Sequence, residues 1–300
     1  MPDPLTSKSI DIPRLTGETL ARMALEDFAE FFLHGRELTI PLTIGDTGSH
    51  ASAKSKDKKR WIAISRDMAE HEIEGPATFL FHLLILGHEI AHIVHEHVYS
   101  GQQDTKDHSA LEFWADFYGA KVMMTLITFG QRVRENFDSY FSEKKEYRKR
   151  LTHVGEAVDR MVETNIYNEH SKYPAPLVRV GLVQNGVCSF LRHNMGASFS
   201  PNMHVSIFTI VTSGPAVRHL METDPNQADF SDDPIKRILN WHCAMQGDRP
   251  AITPDFKLHL LKYLHTTFDQ TDEERNISKA TRLAELHDAG YLLDVKLGDL

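Results

Sequence analysis

One segment constrains the fold of this chain more than any other. A nine-residue apolar run at 79–87, broken only by one histidine, leads directly into His88-Glu89-Ile90-Ala91-His92. The run is too short and too interrupted to span a bilayer. Pro76 occupies the first position of a helix, where proline is favoured, and the pattern continues to about Tyr99. The sequence therefore predicts a buried helix over 76–99 that carries His88, Glu89 and His92.

The spacing of those side chains predicts a metal site. His88 and His92 are four residues apart, so they lie one turn apart on the same helical face. Two imidazoles at this spacing can bind one zinc ion, and Glu89 can reach water at that ion without being a ligand. On a buried helix such groups are costly unless they are paired or metal-bound. We expect His88 and His92 to be ligands and Glu89 to be a general base.

A third ligand is predicted on the next helix, which runs from about His108 through 127. Glu112 lies twenty residues after His92, and Asp116 follows one turn later on the same face. Glu112 can complete a His-His-Glu site with an open fourth position, the catalytic type of zinc site. Asp116 can accept a hydrogen bond from a histidine ligand, with His88 the first candidate. His108, four residues before Glu112, remains a possible substitute ligand.

Composition excludes several other classes of protein. The 300 residues carry 33 Lys and Arg against 42 Asp and Glu, a net charge of −9 that argues against nucleic-acid binding. Two cysteines exclude a disulfide scaffold and a Cys-rich zinc module. No phosphate-binding loop or nucleophile elbow is present. With no signal sequence or membrane span in view, we expect a cytoplasmic protein.

The periodicity predicts a mainly helical α+β fold with a small sheet packed on the 76–99 helix. We expect an irregular arm over 1–16, a catalytic core over 17–130, and a mainly helical portion over 131–300 that completes the cleft within one continuous domain. Strands are predicted at 38–44 and 61–65, separated by an exposed loop over 45–60. Further helices are predicted at 17–34, 148–167, 176–191, 203–220, 234–245, 256–268 and 273–287.

The combination of His88-Glu89-Ile90-Ala91-His92 with Glu112-Phe113-Trp114-Ala115-Asp116 resembles the gluzincin metallopeptidases, including thermolysin-like and HtpX-like enzymes. The resemblance covers about residues 76–120. It implies a zincin-like domain with Zn²⁺ as cofactor, His88, His92 and Glu112 as ligands, and Glu89 as general base. HtpX-like members have membrane helices, and none is expected in this chain. Segment 87–94 is also similar, more weakly, to the Lit-like phage-exclusion peptidases.

A second segment extends this resemblance. Tyr173 to Arg179 is similar to the H-P-x-x-x-x-R segment of HtpX-like peptidases, with tyrosine in place of histidine. Tyr173, or the nearby His170, can donate to the oxyanion of a tetrahedral intermediate. Arg179 can brace the carboxylates of Glu112 and Asp116. The alternative is an ordinary turn followed by a helix.

Three functions are compatible with these residues. The first is a zinc-dependent endopeptidase that cleaves a protein or peptide substrate, with the strand at 61–65 as the edge that pairs with the substrate backbone. The second is a zinc-stabilised binding or regulatory protein with a vestigial peptidase site. The third is a metal hydrolase acting on a non-peptide bond. Zinc binding is common to all three.

Overall fold

The computed structural model describes residues 14–57, 59–99, 105–142, 147–167, 173–224, 236–238, 240, 255–264 and 272–288. Within these residues the chain is predominantly helical and forms one three-stranded mixed sheet, which confirms the mainly helical α+β fold. Most of the predicted arm, most of the predicted helix at 234–245, and His170 lie outside the described residues.

The elements follow one another along the chain in a simple order. An N-terminal helix precedes the sheet, and helices make up most of the described chain after it. Their bounds are α1 Gly17–Ala29, β1 Leu42–Ile44, β2 Ala51–Lys56, β3 Lys59–Ile64, α2 Arg66–Glu70, α3 Pro76–Val94, α4 Thr105–Phe129, α5 Gln131–Asp138, α6 Tyr147–Glu163, α7 Pro176–Met195, α8 Pro201–Val211, α9 Pro215–Thr223, α10 Leu258–Leu264 and α11 Asp272–Asp288. Short 3₁₀ turns lie at His97–Tyr99 and Gly196–Ser198.

The sheet has the order β1-β3-β2, with β1 parallel and β2 antiparallel to β3. Ile62 of the central strand pairs with Leu42 on one side and Ala53 on the other. The prediction that 61–65 is an edge strand is therefore wrong, and so is the prediction of a loop over 45–60, because β2 forms within it. The lysines and serines of β2 lack the alternation of apolar and polar residues that predicts a strand. The strand forms through its backbone pairing with β3.

Helix α3 is the centre of the fold. It packs against α4, α6 and the sheet, and its apolar side chains are buried on all sides. Among the described helices it alone has the length and hydropathy to cross a membrane, but 83% of its most apolar 18-residue window is buried inside the protein. The helix ends at Val94, five residues before its predicted end.

The predicted helix at 203–220 is two helices. The chain leaves α8 at Thr212, passes through Ser213 and Gly214, and begins α9 at Pro215. Pro215 is favoured at the first position of the new helix and cannot continue the old one. Helix α7 packs on α4, and α6 packs on α3. Residues after 130 therefore contact both helices that carry the predicted metal ligands.

Two glycines set the distance between α3 and α4. A Cβ atom placed on Gly119 of α4 would lie 2.6 Å from the backbone nitrogen of His88 and 2.8 Å from the carbonyl carbon of Gly87. Backbone atoms of a buried helix cannot move aside as the end of a flexible side chain does. The absence of a side chain at this crossing therefore allows α4 to approach the part of α3 that carries the histidine pair.

We expect Gly119→Ala to separate the two helices and to lower the free energy of unfolding by about 1–3 kcal/mol, the usual range for overpacking. Urea unfolding followed by circular dichroism measures this effect. Gly45→Ala is the matched control, because a Cβ atom there meets no atom within 4 Å. Equal stability of the two variants would contradict the proposed role of Gly119.

A buried histidine on α3 lies outside the predicted site. The side chain of His82 is 1% exposed, and its Nε2 atom lies 2.8 Å from Nδ1 of His71. Its Nδ1 atom is buried without a hydrogen-bond partner among the described residues. Burial, reinforced by the positive charges of His71, Arg160 and His50, lowers the pKa of His82 to about 3. The folded protein therefore keeps His82 neutral.

This shift predicts acid destabilisation with a definite sign. Between pH 6.5 and 3 the unfolded chain binds a proton at His82 that the folded protein does not, so stability falls as the pH falls through this window, by at most about 1.4 kcal/mol per pH unit. We expect His82→Phe to reduce the loss of stability between pH 6.5 and 4.5. Urea unfolding at several pH values tests this, and an unchanged slope would contradict it.

Candidate metal centre

Three side chains from two helices converge at one point. His88 and His92 lie one turn apart on α3, and Glu112 reaches them from α4. The Nε2 atoms of the two histidines are 3.1 Å apart. Carboxylate oxygens of Glu112 lie 3.0 Å from Nε2 of His88 and 3.5 Å from Nε2 of His92. Among the described residues this is the one group of His, Cys, Asp or Glu side chains close enough to hold a metal ion.

These separations fit a small divalent cation. Tetrahedral zinc with bonds of about 2.0–2.1 Å to nitrogen and oxygen requires ligand atoms about 3.3 Å apart. The three measured distances lie within a few tenths of an ångström of that value. The donors are two imidazoles and one carboxylate, a set that suits zinc and leaves a fourth position open. His88, His92 and Glu112 can therefore hold a metal ion.

The first histidine is held by a buried ion pair. Nδ1 of His88 lies 2.9 Å from Oδ1 of Asp116, as its spacing on α4 predicts. The guanidinium of Arg179 binds Asp116 through two bonds, from Nε to Oδ2 at 2.7 Å and from Nη2 to Oδ1 at 3.0 Å. It also donates to the carbonyl oxygen of Ile166 and lies over the ring of Tyr167. Of the two carboxylates, Arg179 thus hydrogen-bonds to Asp116, and its interaction with Glu112 is electrostatic.

The charges around the donors favour a cation. Burial opposes ionisation of Glu112 and Asp116, but the charge of His92 and the hydrogen bond of His88 hold the pKa of Glu112 well below its usual range. Arg179 and His88 lower the pKa of Asp116 in the same way. Burial lowers the pKa of His88, but its hydrogen bonds to Asp116 and Glu112 outweigh this effect and raise the pKa to about 10. The centre therefore keeps both carboxylates anionic, and their negative charges favour a positive charge at the position of His88.

Glu89 lies beside the three donors and points into the cleft. The backbone N–H of Ala53, on β2, donates to Oε2 of Glu89 at 2.5 Å. Oε1 of Glu89 has no partner among the described residues. Glu89 is itself 9% exposed and lines the cleft with His88 and His92. The sequence predicted this carboxylate, but it gave no sign that a strand would hold it.

The cleft at this centre has a volume of about 940 Å³. Residues 46–53, which include the first half of β2, line the cleft together with residues of α3, α4 and α6 and with Tyr173. Burial and the nearby charge of Glu112 raise the pKa of Tyr173, so its hydroxyl stays protonated and can donate a hydrogen bond. Arg179 lies beneath its ring, with Cζ 5.1 Å from the centroid.

His108 lines the same cleft but is not one of the converging donors. Its Nδ1 atom lies 3.8 Å from Oε1 of Glu112, and its side chain is 38% exposed. Its ring meets that of Tyr173 edge to face, with centroids 5.9 Å apart. The other predicted oxyanion donor, His170, falls outside the described residues.

Sequence reasoning missed the group that holds the second histidine. Nδ1 of His92 lies 3.0 Å from Nδ1 of His97, a buried residue in the 3₁₀ turn after α3. A helix continued to Tyr99 would place His97 about 140° around the axis from His92. The chain instead turns at Glu96, whose φ angle is +57°. A glutamate in this left-handed conformation leaves no signal in the sequence, where glycine or asparagine would have.

Comparisons with known proteins add no assignment: no protein family matches the chain, and no curated protein or solved structure is significantly similar to it.

Proposed function

We propose that this protein is a zinc-dependent endopeptidase of the gluzincin type that hydrolyses peptide bonds in a protein or peptide substrate. The observation that carries the proposal is the convergence of His88, His92 and Glu112 with Glu89 beside them in an open cleft. A site built only to stabilise the fold usually has four protein ligands and no need of an adjacent carboxylate. Here three donors leave a position open next to a candidate base.

The edge of the sheet supports a peptide substrate. Among the described strands, β2 pairs with β3 on one side and with no strand on the other, and its residues Ala51, Ser52 and Ala53 line the cleft. An extended chain can add to such an edge through main-chain hydrogen bonds. The edge runs past Glu89, so a peptide bound there would carry its backbone across the metal centre. This role was expected of 61–65, and we propose β2 for it instead.

The chemistry divides between the metal and the protein. A bound zinc ion supplies Lewis-acid chemistry, acidifying water and polarising a carbonyl group. Glu89 accepts a proton from the attacking water at Oε1 and later delivers it to the leaving amine. The hydroxyl of Tyr173 donates to the developing oxyanion. Asp116 and Arg179 keep the ring of His88 in place throughout.

Zinc-loaded protein incubated with a complex peptide mixture tests the proposal. Mass spectrometry identifies new termini, and we expect cleavage that stops after chelation and returns when Zn²⁺ is added back. Glu89→Gln, loaded with zinc in the same way, serves as the inactive control. Stoichiometric zinc without any cleavage would overturn the peptidase proposal and favour a zinc-stabilised binding protein.

A further inference from the structure

The two histidine ligands differ in what holds their second ring nitrogen. Both direct Nε2 toward Glu112, while Nδ1 of His88 meets a carboxylate and Nδ1 of His92 meets the imidazole of His97. We propose that His97 is a positioning residue for the metal centre: its Nδ1 accepts a hydrogen bond from the Nδ1–H of His92 and thereby fixes the tautomer and the ring orientation of His92. The inference rests on the metal centre of the proposed function, and it concerns a residue with no place in the motif.

The direction of this hydrogen bond follows from the chemistry of the rings. Two nitrogens 3.0 Å apart share one proton, so one must donate and the other accept. A ligand that presents the lone pair of Nε2 to a metal carries its proton on Nδ1. His92 is therefore the donor, and His97 accepts as a neutral imidazole that is protonated on its own Nε2.

The same arrangement is consistent without a metal. His88 is held by Asp116 at Nδ1, and its Nε2 lies 3.0 Å from a Glu112 oxygen and 3.1 Å from Nε2 of His92. A neutral His92 that accepts at Nε2 can donate from Nδ1 to His97. The hydrogen bonds of the protein are thus compatible with the tautomer that a metal requires. Such preorganisation is the usual role of groups that hold metal ligands from behind.

The chain is built to bring His97 back to His92. Glu96, in the left-handed conformation, ends the helical path, and one guanidinium nitrogen of Arg60 lies 3.2 Å from both the Glu96 carboxylate and the carbonyl oxygen of Ile93. The hydroxyl of Ser55 in β2 donates to the carbonyl oxygen of Val98 at 2.8 Å. Strands β2 and β3 therefore both fasten the turn. His97 is 5% exposed, so its ring is fixed as well as placed.

A neighbouring histidine offers a matched control. His95 is buried, two residues before His97, and its Nδ1 donates to the carbonyl oxygen of Ala91. Its Nε2 accepts from the indole N–H of Trp114 at 3.1 Å. Both ring nitrogens therefore bond away from the metal ligands. A substitution here disturbs the same turn and the same core without removing the group that His92 contacts.

The test measures zinc affinity by competition with a chelator, using the full chain and the variants His97→Leu, His97→Asn and His95→Leu. Loss of a group that holds a metal ligand typically costs 10–100-fold in affinity. We expect that loss in His97→Leu and near wild-type affinity in His97→Asn, whose Oδ1 can take the place of Nδ1. His95→Leu should be less stable but bind zinc normally. A folded His97→Leu with wild-type affinity would overturn the inference.

Nitrogen NMR of the zinc-loaded protein gives a second readout that needs no activity. The ring of His92 should bind zinc through Nε2 and keep a proton on Nδ1 that exchanges slowly with water, and His97→Leu should speed this exchange. A His92 ring that binds zinc through Nδ1 would overturn the inference. Failure of this inference can also be distinguished from failure of the proposed function. Zinc binding without peptide cleavage would remove the peptidase proposal and leave the role of His97 to be decided by affinity and tautomer.

Discussion

Glu89→Gln will lower the rate of peptide hydrolysis by about 10²- to 10⁴-fold and leave zinc affinity unchanged. General acid–base catalysis by one positioned side chain contributes a factor of this size. Glutamine has nearly the same shape and retains an oxygen that can accept from the backbone N–H of Ala53, so the wall of the cleft should remain as it is. What the amide cannot do is take a proton from water and return it to an amine.

The measurement is a single-turnover cleavage assay on zinc-loaded protein, with metal content determined on the same samples. Glu70→Gln, an exposed change of the same kind at the end of α2, is the control for the loss of one negative charge. Cleavage by Glu89→Gln at the wild-type rate would contradict the assignment of the base. A loss of zinc together with activity would show instead that Glu89 holds the metal site together.

The same variant separates the two main functions. If the protein is a zinc-stabilised binding module with a vestigial site, zinc is bound in full, no peptide is cleaved, and partner binding survives Glu89→Gln. A hydrolase acting on a non-peptide bond would also lose activity in this variant, but on a different substrate. Metal content alone distinguishes none of these functions, because all of them use His88, His92 and Glu112.

The parts of the centre that the sequence predicted are those governed by helical periodicity. His88 and His92, like Glu112 and Asp116, are four residues apart, and a helix places such pairs on one face whatever surrounds it. The meeting of the two pairs required only that consecutive helices pack together. The short distance between the helices could not be predicted in this way. It depends on the missing side chains at Gly119 and Gly87, and a glycine within a helix does not by itself indicate a close helix contact.

The parts that escaped prediction depend on backbone conformation and on distant pairing. Strand β2 consists of alanines, serines and lysines and becomes a strand because β3 offers it a partner. The turn at Glu96 places a non-glycine residue at a positive φ angle, which tertiary contacts from Arg60 stabilise. The groups that hold Glu89 and His92 both arise in this way. The metal ligands could therefore be predicted from the sequence, whereas these holding groups could not.

Asp116→Ala will produce the largest loss of stability at the centre, about 3–5 kcal/mol in the free energy of unfolding. It leaves the guanidinium of Arg179, 4% exposed, without its carboxylate, and breaking one side of a buried pair costs this much. The ring of His88 also loses its partner, so zinc affinity should fall about 10–100-fold. Urea unfolding and chelator competition measure the two effects.

The double variant Asp116→Ala/Arg179→Met removes the unpaired charge and should recover part of the stability but none of the zinc affinity, because His88 still lacks its acceptor. If both properties recovered together, Asp116 would serve the metal only through the stability of the fold.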